Sequence, residues 1–291
     1  KNKEIDNVVN TTSISEKEKH IKLVEKGVDT INNSVLKKVV LSRNEVVNKS
    51  FKNPLNVFKR LLQAYPEAFV YCWYHPKVGL WIGATPETLL QLENSQFKTM
   101  ALAGTQKYLG TLDVNWQLKE QEEQQFVTNS IKKSLLPLVE RLKIAERETV
   151  KAGNLLHLKT TISGTFNLQK VTIKKLLLSL HPTPAVCGLP KDKALQFIKE
   201  NENYSREFYT GFLGELHFKE TKTRNTNKRN VEQNAYNLVK KVSHLFVNLR
   251  CAKLQSSQAQ IYVGGGITKD SVAENEWHET VNKAQTIKRI L

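Results

Sequence analysis

The sequence holds no run of about eighteen apolar residues, so no transmembrane helix is expected and no membrane contact by that route. Its N-terminus, KNKEIDNVVN, is basic and polar and lacks the apolar centre of a signal peptide. Cysteine is scarce. Cys72, Cys187 and Cys251 are odd in number and far apart, which argues against a disulfide framework or a cysteine metal site and points to a reduced, cytoplasmic setting. No internal repeat and no Pro- or Ser-rich linker divides the chain. We read residues 1–25 as a polar lead-in, disordered or the start of a helix, and residues 26–291 as one domain.

What the chain does have is ordinary for a globular protein: 40% hydrophobic and 25% charged residues in 291. The formal charge of +16 is less ordinary. A basic balance suits nucleic acid, an anionic surface or a small anionic substrate. Here the lysines are scattered, the densest run (KETKTRNTNK, 219–228) reads as a loop, and no aromatic–basic interleaving marks a single-strand platform. Nucleic acid is therefore not expected, and attraction of a small anion is.

The β-branched stretch 35–47 reads as a strand, as do 69–80 and 89–103. Between the latter two, Thr85 and Pro86 form an N-cap and N1 pair, which predicts a short helix opening at Pro86. Residues 117–142 carry Glu123, Phe126, Val127, Ser130 and Ile131 on one stripe of a helix. Further strands are expected at 155–166, 208–218, 244–254 and 260–263, and helices at 173–180 and 191–202. Strands and helices mix without βαβ alternation, so the fold class is α+β.

The last thirty residues concentrate candidate chemistry. An apolar strand runs into Gly264, Gly265 and Gly266, read as a glycine-rich turn, and a helix follows with Glu276, Glu279 and Lys283 on one face. Two carboxylates and an ammonium there can hold a hard cation beside an anionic ligand. Elsewhere each candidate is modest alone. Lys38 is one lysine of a strand, and Glu87, Glu120 and Glu123 fit ordinary first turns of helices. Arg250, in the apolar LFVNLRCAKL, needs a carboxylate or an anionic ligand. The proline-rich HPTPAVCGLP (181–190) suits a binding loop.

Together KVVLSR, ATPETLL, ALAGT, the glutamate-bearing helix, HPTPAVCG, FYTGFLGEL and YVGGGI…ENEWHET resemble, in register from about residue 30 to 291, the chorismate-utilising enzymes. This family includes isochorismate, anthranilate, aminodeoxychorismate and salicylate synthases. The resemblance implies antiparallel β-sheets packed face to face with helices outside, and chorismate, a ring with two carboxylates, as substrate. It implies Mg²⁺ held by Glu123 and Glu279, with Glu120 and Glu276 one turn before each. Lys38 resembles the base that activates water at C2, and Glu87 the acid that protonates the departing C4 hydroxyl. Arg250 and Lys283 resemble the residues that pair with substrate carboxylates. The amides around Gly104–Thr105 and Gly264, Gly265 and Gly266 resemble their cradle, and His181 a histidine beside the ring. One tension stands: a helix N-terminus would favour ionised Glu87, whereas an acid must keep its proton.

Within the family, Ala103 stands where aminodeoxychorismate synthases carry a nucleophilic lysine. Lys38 is kept, whereas anthranilate synthases, which use ammonia, lack it. Ala185 stands where salicylate synthases tend to have threonine. The expected activity is that of a Mg²⁺-dependent isochorismate synthase needing no glutaminase subunit, in menaquinone or siderophore biosynthesis. The alternatives are salicylate synthase, another chorismate-utilising enzyme, or a degenerate binding module. Gln124 follows Glu123 where the family often has histidine. Members usually have a longer segment before the base-bearing strand, so a truncated or short form is expected.

Overall fold

The computed structural model describes residues 11–222 and 238–291. In chain order these form α1 (Thr11–Asn32), β1 (Lys38–Asn48), α2 (Pro54–Ala64), β2 (Phe69–His75), β3 (Gly79–Thr85), β4 (Thr88–Glu93), β5 (Gln96–Lys107), α3 (Leu118–Leu135), β6 (Arg141–Ala152), β7 (Leu155–Thr165), α4 (Ile173–Leu180), β8 (Gly188–Leu189), α5 (Lys191–Asn201), β9 (Phe212–Lys222), β10 (Leu238–Val247), β11 (Cys251–Leu254), β12 (Gln258–Ile267) and α6 (Ala273–Lys288).

The strands make two six-stranded sheets, ordered β2-β3-β11-β12-β1-β8 and β6-β7-β5-β4-β10-β9, with antiparallel pairs throughout. The α+β reading with antiparallel sheets is the observed architecture. Helices α3 and α4 bury Val127, Ile131, Leu176 and Leu180 against the second sheet. Helices α2 and α6 cover the first sheet through Leu61 and Ile287, and α1 and α5 close it near β1 through Val24 and Phe197. Aromatic rings join the sheets: Phe69 on β2 stacks on Phe246 of β10 at 4.2 Å.

One two-stranded ribbon serves both sheets. β3 pairs with β11 in the first sheet, and β4 with β10 in the second. Where the ribbon passes from one to the other, Ala84 N donates to Arg250 O at 3.1 Å and Val247 N to Glu87 O at 2.9 Å. Pro86 and Glu87 occupy one crossing, and Arg250, with φ of 47°, the other.

Several expectations are corrected here. No helix opens at Pro86: the ladder bonds hold that segment extended, and the proline's missing N–H falls at the gap between ladders. Residues 69–80 and 89–103 are two hairpins rather than two strands, the second turning at Asn94 with φ of 55°. The helix over 117–142 ends at Leu135; residues 136–140 form a turn, and Arg141 and Leu142 open the edge strand β6, which was not foreseen. Residues 208–211 precede β9 as a turn, and 244–254 is interrupted at Arg250. Gly264, Gly265 and Gly266 lie inside β12, opposite Ser42, Leu41 and Val40, and not in a turn. Residues 219–222 of the loop expected at 219–228 are strand, and the remainder lies outside the described residues. Residues 1–10 of the lead-in also lie outside, and α1 runs unbroken across residue 25.

Candidate active site

A cleft opens where the ribbon changes sheets. It is lined by Pro86, Glu87 and Arg250 from the crossings, and by Ala103, Gly104 and Thr105 from β5. Ala185 and Val186 come from the loop after α4, Val40 from β1, Gly264, Gly265 and Gly266 from β12, and Glu123, Glu279 and Lys283 from the helices.

Backbone shape explains several of these placements. β5 and β7 lose register between Ala103 and Gln106, and Gly104 takes φ of 75°. This bulge pushes Gly104 and Thr105 toward the cleft. On β12 the pairing with β11 stops at Tyr262, so beyond it β12 is paired by β1 alone. The three glycines then let side chains approach closely. A Cβ on Gly266 would meet Glu123 Oε1 at 2.3 Å and Lys38 Cε at 3.0 Å. On Gly265 it would lie 3.5 Å from Glu276 Oε2 and 3.6 Å from Glu279 Oε1. The carboxylates of α3 and α6 therefore converge over adjacent glycines.

Lys38, the first residue of β1, has 0% exposure, and its Nζ lies 2.8 Å from Glu123 Oε1. No described group gives Lys38 an aligned hydrogen bond. It sits behind Glu123 and Gly266 rather than on the cleft lining. Glu87 is 3% exposed, and burial pushes its carboxyl up to about 8 against the opposing pull of Lys38, Arg250 and Lys283. With no helix at Pro86, the expected dipole tension disappears and Glu87 holds its proton at neutral pH.

Helix α6 presents Glu276 and Glu279 one turn apart. Glu276 is raised by burial, and next by the charge of Glu279, despite an ion pair with Lys119 at 2.5 Å. Burial would raise Glu279 too, but its ion pair with Lys283 outweighs this and holds it low. Lys283 also donates to Gly264 O at 3.0 Å. Glu123 and Glu279 line the cleft; Glu120 and Glu276 stand one turn behind. Among the described residues no three acidic or imidazole side chains are already grouped as metal ligands. The donor set nonetheless fits a hard divalent cation. It is all oxygen, it faces the adjacent Gly265 and Gly266 from two helices, and Glu120 Oε2 is buried with no hydrogen-bond partner.

Ala185 lines the cleft as expected, but His181 does not. Its Nε2 donates to Thr210 O at 3.0 Å, and its ring packs edge-on against Phe212 at 5.1 Å, outside the cleft. The histidine that does line the cleft is His157 on β7. Its Nδ1 donates to Gly104 O at 2.8 Å, leaving Nε2 to accept from Arg250 Nη2 at 3.3 Å. Burial first, then Arg250, lowers His157 to about 3, so it stays neutral and in one tautomer. Sequence reasoning passed over it, although a histidine in the apolar LLHLK carries the same signal that singled out Arg250. Tyr209, within FYTGFLGEL, was also missed; it lines the cleft and stacks on Tyr262 at 5.7 Å.

Residues 1–222 match a family described as chorismate binding enzyme, and residues 236–289 match a second family of the same description. The chain is 30% identical over 286 residues to isochorismate synthase MenF of Pasteurella multocida, covering 92% of this chain and 60% of that protein. It is 28% identical over 282 residues to isochorismate synthase MenF of Escherichia coli, covering 92% and 59%. The solved structure of the latter, the menaquinone-specific isochorismate synthase, superposes with a TM-score of 0.78 at 26% identity over 94% of this chain and 61% of that one. The chain thus spans about three fifths of the length of the curated relatives it matches. No described helix is long and apolar enough to cross a membrane.

Proposed function

We propose that this chain, which belongs to the chorismate-binding enzymes, carries an isochorismate synthase activity. Lys38 takes a proton from the water that attacks C2. Glu87 gives its proton to the C4 hydroxyl, which leaves as water while both ring double bonds shift, from C1–C2 to C1–C6 and from C5–C6 to C4–C5. The observation that carries this reading is the pair itself. A carboxyl that holds its proton up to about pH 8 and a buried lysine serve one cleft from separate elements, which is the acid and base the reaction needs.

The cations Arg250 and Lys283 would pair with the substrate's two carboxylates, and neutral His157 holds Arg250 in place for that role. Glu123 and Glu279, with Glu120 and Glu276 behind them, would hold Mg²⁺. When bound, the ion neutralises and orients the ring carboxylate. Lys38 meets the cleft only past Glu123, so Glu123 must turn from Lys38 for water to reach Nζ. Water as nucleophile removes any need for a glutaminase subunit. Three free thiols, Cys72, Cys187 and Cys251, suit a cytoplasmic enzyme.

The test is incubation with chorismate and Mg²⁺, with products separated by chromatography. Isochorismate as the main product supports the reading. Salicylate with pyruvate, a product formed only with ammonia, or no turnover overturns it.

A further inference from the structure

Arg206 does not line the cleft, yet three residues that do are attached to it. Its Nε and Nη2 grip Glu202 at 2.7 and 2.6 Å. Nη1 donates to Val186 O at 3.1 Å and Nη2 to Val40 O at 2.7 Å. Its own carbonyl accepts from Tyr209 N at 2.8 Å. Val40 lies two residues after Lys38, and Val186 directly follows Ala185. The Glu202 side chain, 2% exposed, also accepts from the Ser42 N and Oγ at 2.8 and 2.9 Å. The guanidinium is thus anchored to α5 and β1 and reaches across to the loop after α4.

The backbone already ties the Lys38 wall of the cleft to the Ala185 wall, with Val40 N donating to Cys187 O at 2.8 Å. We propose that Arg206 is a positioning residue that fixes the Ala185 end of this seam, which those ladder bonds leave free to pivot, and so decides which product is released. The inference rests on the isochorismate synthase reading. A planar fork with donors on three nitrogens holds one carboxylate and two carbonyls at fixed mutual angles, which a single ammonium cannot do. If the Ala185 wall drifts, isochorismate is no longer held in the pose that favours its release, and loss of pyruvate competes. A displacement of this kind, away from the chemistry, alters reactivity by up to about 100-fold.

The test compares wild type with Arg206→Lys, which keeps the charge opposite Glu202 but loses the fork. Product partition is read by chromatography, and hydrogen exchange is followed for peptides spanning 38–43 and 183–190, with 155–165 as control. The expected result is a rise of about tenfold in the pyruvate-forming fraction, with faster exchange in the two wall peptides and not in the control. Unchanged partition, or exchange that rises evenly, overturns the inference and leaves Arg206 a merely structural residue. Should Arg206→Lys fail to fold, the double variant Arg206→Met with Glu202→Met leaves no buried charge unpaired and must give the same shifts. If wild type turns over no chorismate, the functional reading falls, and the exchange measurement still decides whether Arg206 clamps the walls.

Discussion

Lys38 Nζ and Glu123 Oε1 lie 2.8 Å apart, so the proposed base and a proposed metal ligand are partners. Whatever draws Glu123 away frees Lys38, which couples metal binding to the readiness of the base. Lys38→Ala should therefore lower turnover by about 10²–10⁴-fold and also change the Mg²⁺ affinity measured by calorimetry. Near-normal rates in this variant would assign the base to another residue, Lys37 being adjacent.

The carboxylates of α6 should matter differently. Glu279→Ala should abolish Mg²⁺-dependent turnover while the far-ultraviolet circular dichroism of the folded chain is retained. Full turnover of metal-stripped protein in chelator would remove the metal from the mechanism.

Glu87 gives a pH signature. As the acid it must be protonated, so kcat/KM should fall as pH rises past about 8. The same shift bears on stability. Its folded pKa is raised, so the stability it contributes is complete below about pH 4.5 and is lost as pH rises through about 8. Glu87→Gln should cut turnover by about 10²–10⁴-fold. In melts between these pH values, the variant should gain on wild type as pH rises. A flat difference would show that Glu87 is ionised in the folded chain.

Gly266→Ala probes the glycine bed. The added Cβ would stand 2.3 Å from Glu123 Oε1 and 3.0 Å from Lys38 Cε. Both must move, which should cost about 1–3 kcal/mol in denaturant titrations and up to about 100-fold in rate. Unaltered kinetics would show that neither side chain acts from its present position.

Ala185 tests product choice. A threonine there adds a methyl and a hydroxyl to the wall beside the ring. Ala185→Thr should raise the pyruvate-forming side reaction above the low wild-type level, read by coupled pyruvate assay. Stoichiometric salicylate from the unaltered chain would instead favour a salicylate synthase.

The sequence was most legible where local chemistry and packing agree. Helix α4 has an N-cap, Thr172, whose side chain accepts from Lys175 N, and apolar residues at helical spacing; its limits were read correctly. β6 was invisible because its charged residues leave no alternation: it is an edge strand, exposed along most of its length. Pro86 and the three glycines misled for one reason. Thr-Pro and Gly-Gly-Gly are local signals for a helix start and a turn, and here ladders formed with distant strands override them. At the site, the blocks that resemble the family located Glu87, Glu123, Glu279 and Arg250. The position of His181 against Phe212, and of His157 inside the cleft, depends on contacts between elements far apart in sequence.

β1 and β12 come from opposite ends of the chain, yet they pair from Val39 with Ile267 to Asn48 with Gln258. Lys38 is therefore synthesised more than two hundred residues before the glycine bed beneath it and the carboxylates of α6. No nascent chain short of β12 and α6 can assemble the cleft. Such non-local closure folds slowly compared with locally paired topologies, so competence for catalysis should arise in a single late step rather than build up as the chain lengthens.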